Sequence, residues 1–307
     1  MRITFLGTSE FACPALTEVA EQYEVSLVVT QPDRPVGRHA TLTPPPVKAA
    51  ATQLGLPVFQ PERINRDAAI ERLRDAAADV FVVAAYGQLL KLAVFEMPPL
   101  GTINIHASLL PAYRGGAPIQ WAIIRGETET GISTFYIEAG MDTGDVLLKR
   151  SIDIGPDETA GELETRLAAL GAETILETLS GIESGDLKAI PQPEDGVSMA
   201  PLMNRETGRI DWTVPAQRIH NLVRGTNPWP GAWTELDGER VKVRRTMHTD
   251  VKCGAIEPGE VALREADRLL VGTGDRLLEL LEVQRGGKPR IAGAAFLHGL
   301  HGPARFT

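Results

Sequence analysis

The stretch Gly101-Thr-Ile-Asn104-Ile-His106-Ala-Ser108 places an amide and an imidazole two positions apart. Alternate residues of an extended chain face one side, so Asn104 and His106 would open into the same space. A second stretch, Glu138-Ala-Gly-Met-Asp142-Thr-Gly-Asp145, is a glycine-flanked acidic turn after an apolar run ending at Ile137. It could bring the Asp142 carboxylate to the imidazole. Acyl transfer to an amine needs a base for the proton of the attacking nitrogen, a donor for the tetrahedral oxyanion, and a group that orients the base. Asn104, His106 and Asp142 supply these types. On residue chemistry alone the alternative stays open that His106 is a hydrogen-bonded structural residue. No G-x-S-x-G elbow surrounds Ser108, which favours direct transfer over a covalent intermediate.

Such a trio needs elements that hold it. Apolar strand-like runs at 2–7, 25–30, 79–85, 102–106, 131–137 and 146–152 alternate with amphipathic helical patterns at 14–21, 47–54, 68–76, 118–125 and 159–179. That alternation predicts a parallel α/β sheet covered by helices. An open sheet of this kind binds ligands beyond the carboxyl ends of its strands, where Asn104, His106 and Asp142 all fall. The segment IPQPEDGVSMA, with two prolines and no apolar period, reads as a linker. Beyond it come one helical pattern at 215–224 and short strand-like runs, with Asp237-Gly238 a hairpin turn. The tail is expected to be a small β-barrel. With 307 residues, two domains are expected: 1–189, a linker at 190–207, and 208–307.

Composition narrows the classes further. The chain is 43% hydrophobic and carries a net charge of −9, but residues 1–207 hold −12 and residues 208–307 hold +3. A mildly basic tail on an acidic protein admits a polyanionic partner and equally an ordinary solvated surface. Cys13 and Cys253 are isolated, so a reducing cytoplasm is expected, and neither a secretory signal nor a membrane-length apolar run is visible. Gly7 lacks a G-x-G-x-x-G context, which argues against a nicotinamide or flavin cofactor. No cluster has metal-ligand spacing, and His39, His220, His248, His298 and His301 have no partners nearby in sequence.

Taken together, Asn104-x-His106-x-Ser108-Leu-Leu-Pro111, Arg114-Gly115 and Asp142-Thr-Gly-Asp145 resemble the signature of the folate-dependent formyltransferases. The resemblance implies that Asn104 stabilises the oxyanion, His106 handles the proton or polarises the formyl group, and Asp142 orients it. It also implies 10-formyltetrahydrofolate as donor, with Ser108, Leu109, Leu110 and Pro111 against it. Leu109, Leu110 and the Tyr86-Gly87 turn are further candidates for the apolar and backbone groups a folate needs. The stretch Thr30-Gln-Pro-Asp-Arg34-Pro, then Gly37-Arg38 and Pro45-Pro-Val-Lys48, resembles the acceptor-stem loop of those family members that act on methionyl-tRNA, although His39-Ala-Thr41 stands where many relatives carry lysines. Gly7-Thr-Ser-Glu-Phe-Ala12, with Ser9 for the usual proline, and Gly208-Arg-Ile-Asp-Trp212 and Asn227-Pro-Trp-Pro230 extend the likeness along nearly the whole chain. It implies a Rossmann-like, mostly parallel catalytic sheet followed by an OB-like barrel that orients tRNA. Arg34 and Arg38 in the loop, and Lys242, Arg244, Arg245, Lys288 and Arg290 in the tail, are the candidate contacts. The expected reaction is formylation of the methionine amine on initiator tRNA by a cytoplasmic monomer, the alternative being a sugar-amine or glycinamide-ribonucleotide formyltransferase.

Overall fold

The computed structural model describes residues 1–37, 40–262, 267–300 and 302–307. The chain divides into two compact units, one of Met1–Gly115, Glu129–Ile152 and Glu164–Ala200, the other of Gly116–Thr128, Asp153–Leu163 and Pro201–Thr307.

In chain order the strands of the first unit are β1 (Arg2–Gly7), β2 (Glu24–Val29), β3 (Arg34–Val36), β4 (Thr41–Thr43), β5 (Val58–Phe59), β6 (Val80–Ala84), β7 (Thr102–His106), β8 (Glu129–Tyr136) and β9 (Val146–Asp153). Seven of them form one sheet in the order β5-β2-β1-β6-β7-β8-β9. The pairings from β5 through β7 are parallel, and β8 joins β7 antiparallel. All five residues of β6 are buried, as a strand covered on both faces requires. The helices α1 (Cys13–Gln22) and α2 (Pro46–Gln53) each carry a proline in the first turn, where a missing N–H costs nothing. They are followed by α3 (Asp67–Asp75) and α4 (Leu92–Phe95). The β3–β4 pair is a separate antiparallel hairpin in a stretch whose prolines give no strand signal.

The helices α5 (Pro118–Arg125) and α6 (Ala160–Ser184) come next in the chain. A capping box starts α6: the Thr159 N–H and hydroxyl both donate to Glu162 Oε2 at 2.8 Å, and the Glu162 N–H donates back to Thr159 Oγ1. These bonds from Thr159, with Arg245 adding to them, hold the Glu162 carboxyl below its usual range. Further on, Leu167, Ala168, Ala172, Ile175 and Leu179 form a buried stripe at helical spacing. Gly171 lies in that stripe, where a Cβ would come within 3.1 Å of Ile105 Cγ2, so the helix runs close over β7. The strand that carries Asn104 and His106 is therefore fixed from both of its edges and one face.

The second unit continues with α7 (Ala216–Gly225), β10 (Ala232–Leu236), β11 (Glu239–Lys252), β12 (Val261–Ala262), β13 (Leu270–Gly272), β14 (Arg276–Arg285), β15 (Ile291–Ala292) and α8 (Gly293–His298). The barrel-like tail is an antiparallel sheet in the order β10-β11-β14-β13-β12, with β15 on β14. Asp237 and Gly238 both take left-handed backbone, φ 52° and 77°, as a two-residue hairpin of type I′ demands. Register shifts around Arg245 break the β11–β14 ladder, and bulges of this kind bend a strand and increase its twist. Trp212, Ile219, Val241, Leu278, Phe296 and Phe306 belong to the core of this unit, with the Trp212 and Phe306 rings stacked at 5.7 Å. No helix among the described residues is long and apolar enough to cross a membrane.

Candidate active site

His106 closes β7 and is 6% exposed, with its ring edge-on to Phe135. Its Nε2 lies 2.9 Å from the Tyr113 carbonyl oxygen. A carbonyl can only accept, so Nε2 carries the hydrogen, and in the neutral ring the lone pair sits on Nδ1. That nitrogen is 3.9 Å from Asp142 Oδ2. The same carboxylate oxygen accepts the Gly115 N–H at 2.7 Å, which fixes its position. Two residues before His106, Asn104 is partly exposed, and its side-chain amide makes no hydrogen bond among the described residues. In the sheet Asn104 stands opposite Val83 on one side and Phe135 on the other, so its backbone is fixed between apolar neighbours while the side-chain amide is left able to donate. The arrangement brings together an unengaged donor, a base of defined tautomer and a carboxylate able to stabilise the imidazolium.

The loop after β7 is shaped by bonds within itself. Ser108 is fully buried, and its hydroxyl donates to the Ala112 carbonyl at 2.6 Å. The Ser133 hydroxyl donates to the Ser108 carbonyl and accepts the Leu110 N–H. Lys149 Nζ donates to the Leu110 carbonyl, and burial lowers the pKa of that ammonium. The Leu110 side chain packs against Phe135 and Val146, and the Leu110-Pro111 bond is cis. Ser108 and Leu110 are thus buried and held in place, while Leu109 and Pro111 remain partly exposed. Just past the end of β6, the Tyr86 ring is buried, burial raises its phenol pKa, and its hydroxyl has no hydrogen-bond partner among the described residues. The Tyr86 carbonyl accepts from Thr8 Oγ1 and Gln31 Nε2, and Gly87 turns outward at φ 86°.

Residues 190–200 lie along these loops. Ile190 and Val146 exchange backbone hydrogen bonds at 2.8 Å. The Ser198 hydroxyl accepts the Tyr113 N–H, and the Arg114 backbone bonds to Ser198 and Ala200. Gln192 donates from Nε2 to the Asp142 and Gly144 carbonyls and accepts from the Arg114 guanidinium. Sequence reading singled out neither Gln192 nor Tyr113; only the quoted Arg114-Gly115 pointed at this neighbourhood.

The residues expected to meet tRNA are placed differently from one another. Arg34, on β3, is exposed and pairs with Glu62 at 2.8 Å. Arg38 lies outside the described residues. Beside Arg34, Asp33 accepts from Gln60 and from Lys48 at 2.7 Å, and these bonds hold its carboxyl below the usual range. In the second unit a cavity of about 290 Å³ is lined by Arg240, Lys242, Arg244, Gln284, Arg285, Gly286 and Gly287. Burial first, and then the neighbouring charges of Arg244, Arg240 and Arg205, lower the Lys242 pKa, while Arg285 of the same lining pairs with Glu239 at 3.2 Å. Arg244 donates to Gln284 Oε1, but its Nε is buried with no hydrogen-bond partner among the described residues. Arg245 is instead exposed and paired with Glu162 at 3.0 Å, Arg290 lies 3.7 Å from Glu282, and Lys288 is exposed. Arg240, packed 3.7 Å over the Trp233 ring, and Arg205 were not singled out in the sequence.

Asn104 and His106 sit on the parallel strand β7, but β8 is antiparallel to it, so Asp142 reaches the imidazole from the β8–β9 loop and not, as expected, from a parallel strand end. A mostly parallel sheet that holds an amide, an imidazole and a carboxylate in this way is that of a group-transferring α/β enzyme. Residues 1–179 match the family described as formyl transferase, and residues 202–301 match the formyl transferase C-terminal domain. A methionyl-tRNA formyltransferase of Geobacter metallireducens is 48% identical over 300 residues, covering 97% of this chain and 96% of the relative. Among solved structures, HypX from Aquifex aeolicus in complex with tetrahydrofolic acid is similar at TM-score 0.64 and 21% identity. It covers 97% of this chain, which spans about half, 47%, of HypX. Methionyl-tRNA formyltransferase from Clostridium thermocellum is similar at TM-score 0.57 and 17% identity, over 81% of this chain and 94% of that one. The chain belongs to the formyl transferase family and, within it, to the methionyl-tRNA formyltransferases.

Proposed function

We propose that this enzyme moves the formyl group of 10-formyltetrahydrofolate onto the free amino group of methionine carried by initiator tRNA. The observation that carries the chemistry is the fixed tautomer of His106, with Nδ1 turned to Asp142 and the Asn104 amide unengaged two residues away. The methionine nitrogen attacks the formyl carbon, and Asn104 donates to the oxyanion that forms. His106 Nδ1 takes the proton from that nitrogen, and the Asp142 carboxylate stabilises the imidazolium. Collapse breaks the bond between the formyl carbon and N10 of the folate, and the proton passes to N10. Leu109, Pro111 and the Tyr86-Gly87 turn offer the donor apolar surface and backbone groups, with Ser108 and Leu110 holding the wall behind them.

The acceptor assignment rests on the Geobacter relative, whose identity extends across both chains, together with cationic groups that suit phosphates. Arg34 and Arg38 in the β3–β4 region, and Lys242, Arg244, Arg245, Lys288 and Arg290 in the tail, contribute charge to the RNA backbone, with Arg240 and Arg285 beside them. The enzyme works as a cytoplasmic monomer. Incubation of the purified chain with labelled 10-formyltetrahydrofolate and, separately, methionyl initiator tRNA, an amino sugar or glycinamide ribonucleotide tests the reading. Label is expected on the methionine amine; label on a sugar amine or glycinamide ribonucleotide alone would overturn it.

A further inference from the structure

The turn that carries Asp142 is not self-supporting. Asp142 takes a left-handed backbone, φ 52°, which costs a non-glycine residue about 1–2 kcal/mol. Two carbonyls of that turn, those of Asp142 and Gly144, accept from a single amide nitrogen, Gln192 Nε2, both at 2.8 Å. The oxygen of the same side chain accepts from Arg114 Nε at 3.1 Å and Nη2 at 2.7 Å. Gly115, next to Arg114, donates its N–H to the Asp142 carboxylate. The Arg114 backbone is in turn bracketed, its N–H donating to the Ser198 carbonyl and its carbonyl accepting from the Ala200 N–H. These bonds close a ring that runs from the Asp142 carboxylate through Gly115 and Arg114 to Gln192 and back to the Asp142 backbone. Each member of the ring is fixed by two others.

We propose that Gln192 is a positioning residue for the transfer, setting the Asp142 carboxylate against Nδ1 of His106. The inference rests on the roles given above to Asp142 and His106. A primary amide is the side chain that fits, because the ring needs a donor towards two carbonyls and an acceptor towards a guanidinium on one rigid group. Glutamate would keep the acceptor for Arg114 but turn an acceptor on the carbonyls of Asp142 and Gly144. Alanine would leave all four bonds unmade. Neither change touches the residues that line the donor's wall, so the loss belongs in turnover and not in folate binding.

The test is kinetic and uses the full-length enzyme. Gln192→Ala and Gln192→Glu are made alone and combined with Asp142→Asn, and kcat and KM for the folate donor are measured for each, below the unfolding temperature of the least stable variant. Displacement of a catalytic group by about an ångström costs of the order of a hundredfold, so either Gln192 change alone should lower kcat by about tenfold to a hundredfold with KM held. In the Asp142→Asn background the same change should add less than about twofold, because residues acting through one group are not additive. An equal loss in both backgrounds would make Gln192 a general brace and overturn the proposal, as would full kcat in Gln192→Ala. If Asp142→Asn alone keeps full turnover, it is the catalytic reading that fails, and the proposal falls with it.

Discussion

Nε2 of His106 donates to the Tyr113 carbonyl across 2.9 Å, and that bond decides which imidazole nitrogen can act as a base. Tyr113 holds its carbonyl there from a left-handed backbone, φ 61°, with its own N–H bonded to the Ser198 hydroxyl. The nitrogen left free, Nδ1, is the one that faces Asp142.

Ser133 supports this arrangement from the neighbouring strand. Its buried hydroxyl joins the Ser108 carbonyl to the Leu110 N–H. Ser133→Ala leaves both groups buried and unpaired, and should cost about 1–3 kcal/mol, read as a lower denaturation midpoint at unchanged slope. A midpoint equal to that of the wild type would mean that water replaces the hydroxyl.

Arg38, which lies between Arg34 and Lys48 in the sequence, should matter for the RNA substrate alone. Arg38→Ala is expected to raise KM for methionyl-tRNA while folate affinity, measured by equilibrium binding, stays put. Unchanged kinetics towards tRNA would remove that residue from the RNA contacts.

In the second unit, Lys242 and Arg244 line a cavity in which positive charge outweighs its partners, whereas Arg245 already has Glu162. Removing one cation that neutralises a phosphate should flatten the dependence of log affinity on log salt by about one unit. Titrating tRNA binding against salt should therefore separate Lys242→Ala and Arg244→Ala, with flatter slopes, from Arg245→Ala, with a slope near that of the wild type. Equal slopes in all three would remove the cavity's special standing.

A pH dependence of stability follows from His220 and His248, whose rings lie 4.5 Å apart. Burial lowers the pKa of both below that of a free imidazole, against the opposing pull of Asp157 on each. His220 is satisfied as the neutral ring, with Nε2 donating to the Pro156 carbonyl and Nδ1 accepting from the Thr246 hydroxyl. Because the folded values are depressed, the contribution is fully present above the unfolded value of about 6.5 and is lost as pH falls from there towards the folded values. The slope is bounded at about 1.4 kcal/mol per pH unit for each imidazole. Unfolding temperatures measured from pH 7.5 to 5.5 should fall, and His248→Gln should flatten the fall; an identical slope in the variant would exclude His248 as a source.

Much of the candidate site is legible along the chain because its members are local signals. Asn104 and His106 are two apart on a strand, and Asp142 sits in a glycine-flanked turn just after another. The strands on both sides were legible for the same reason, since β1, β6 and β7 are short apolar runs with clear ends. What holds the trio in place was not legible. Gln192 meets Asp142 across 50 residues and Arg114 across 78, from a stretch whose prolines speak only of irregular backbone. Tyr113 acts through a carbonyl, which no side-chain pattern reports. His220 and His248 likewise meet only because α7 packs beside β11. The charge run at Arg244-Arg245 looked uniform in sequence, but the broken ladder of β11 sends one residue to the cavity and the other to Glu162.

The most direct test of the catalytic assignment is single-turnover formyl transfer from 10-formyltetrahydrofolate to methionyl initiator tRNA, with both substrates saturating. Wild-type enzyme is compared with His106→Ala, whose fold is checked by its unfolding transition. Loss of a positioned base should slow the transfer step by about a hundredfold to ten-thousandfold while the protein stays folded. A folded His106→Ala protein that transfers formyl at the wild-type rate would contradict the assignment.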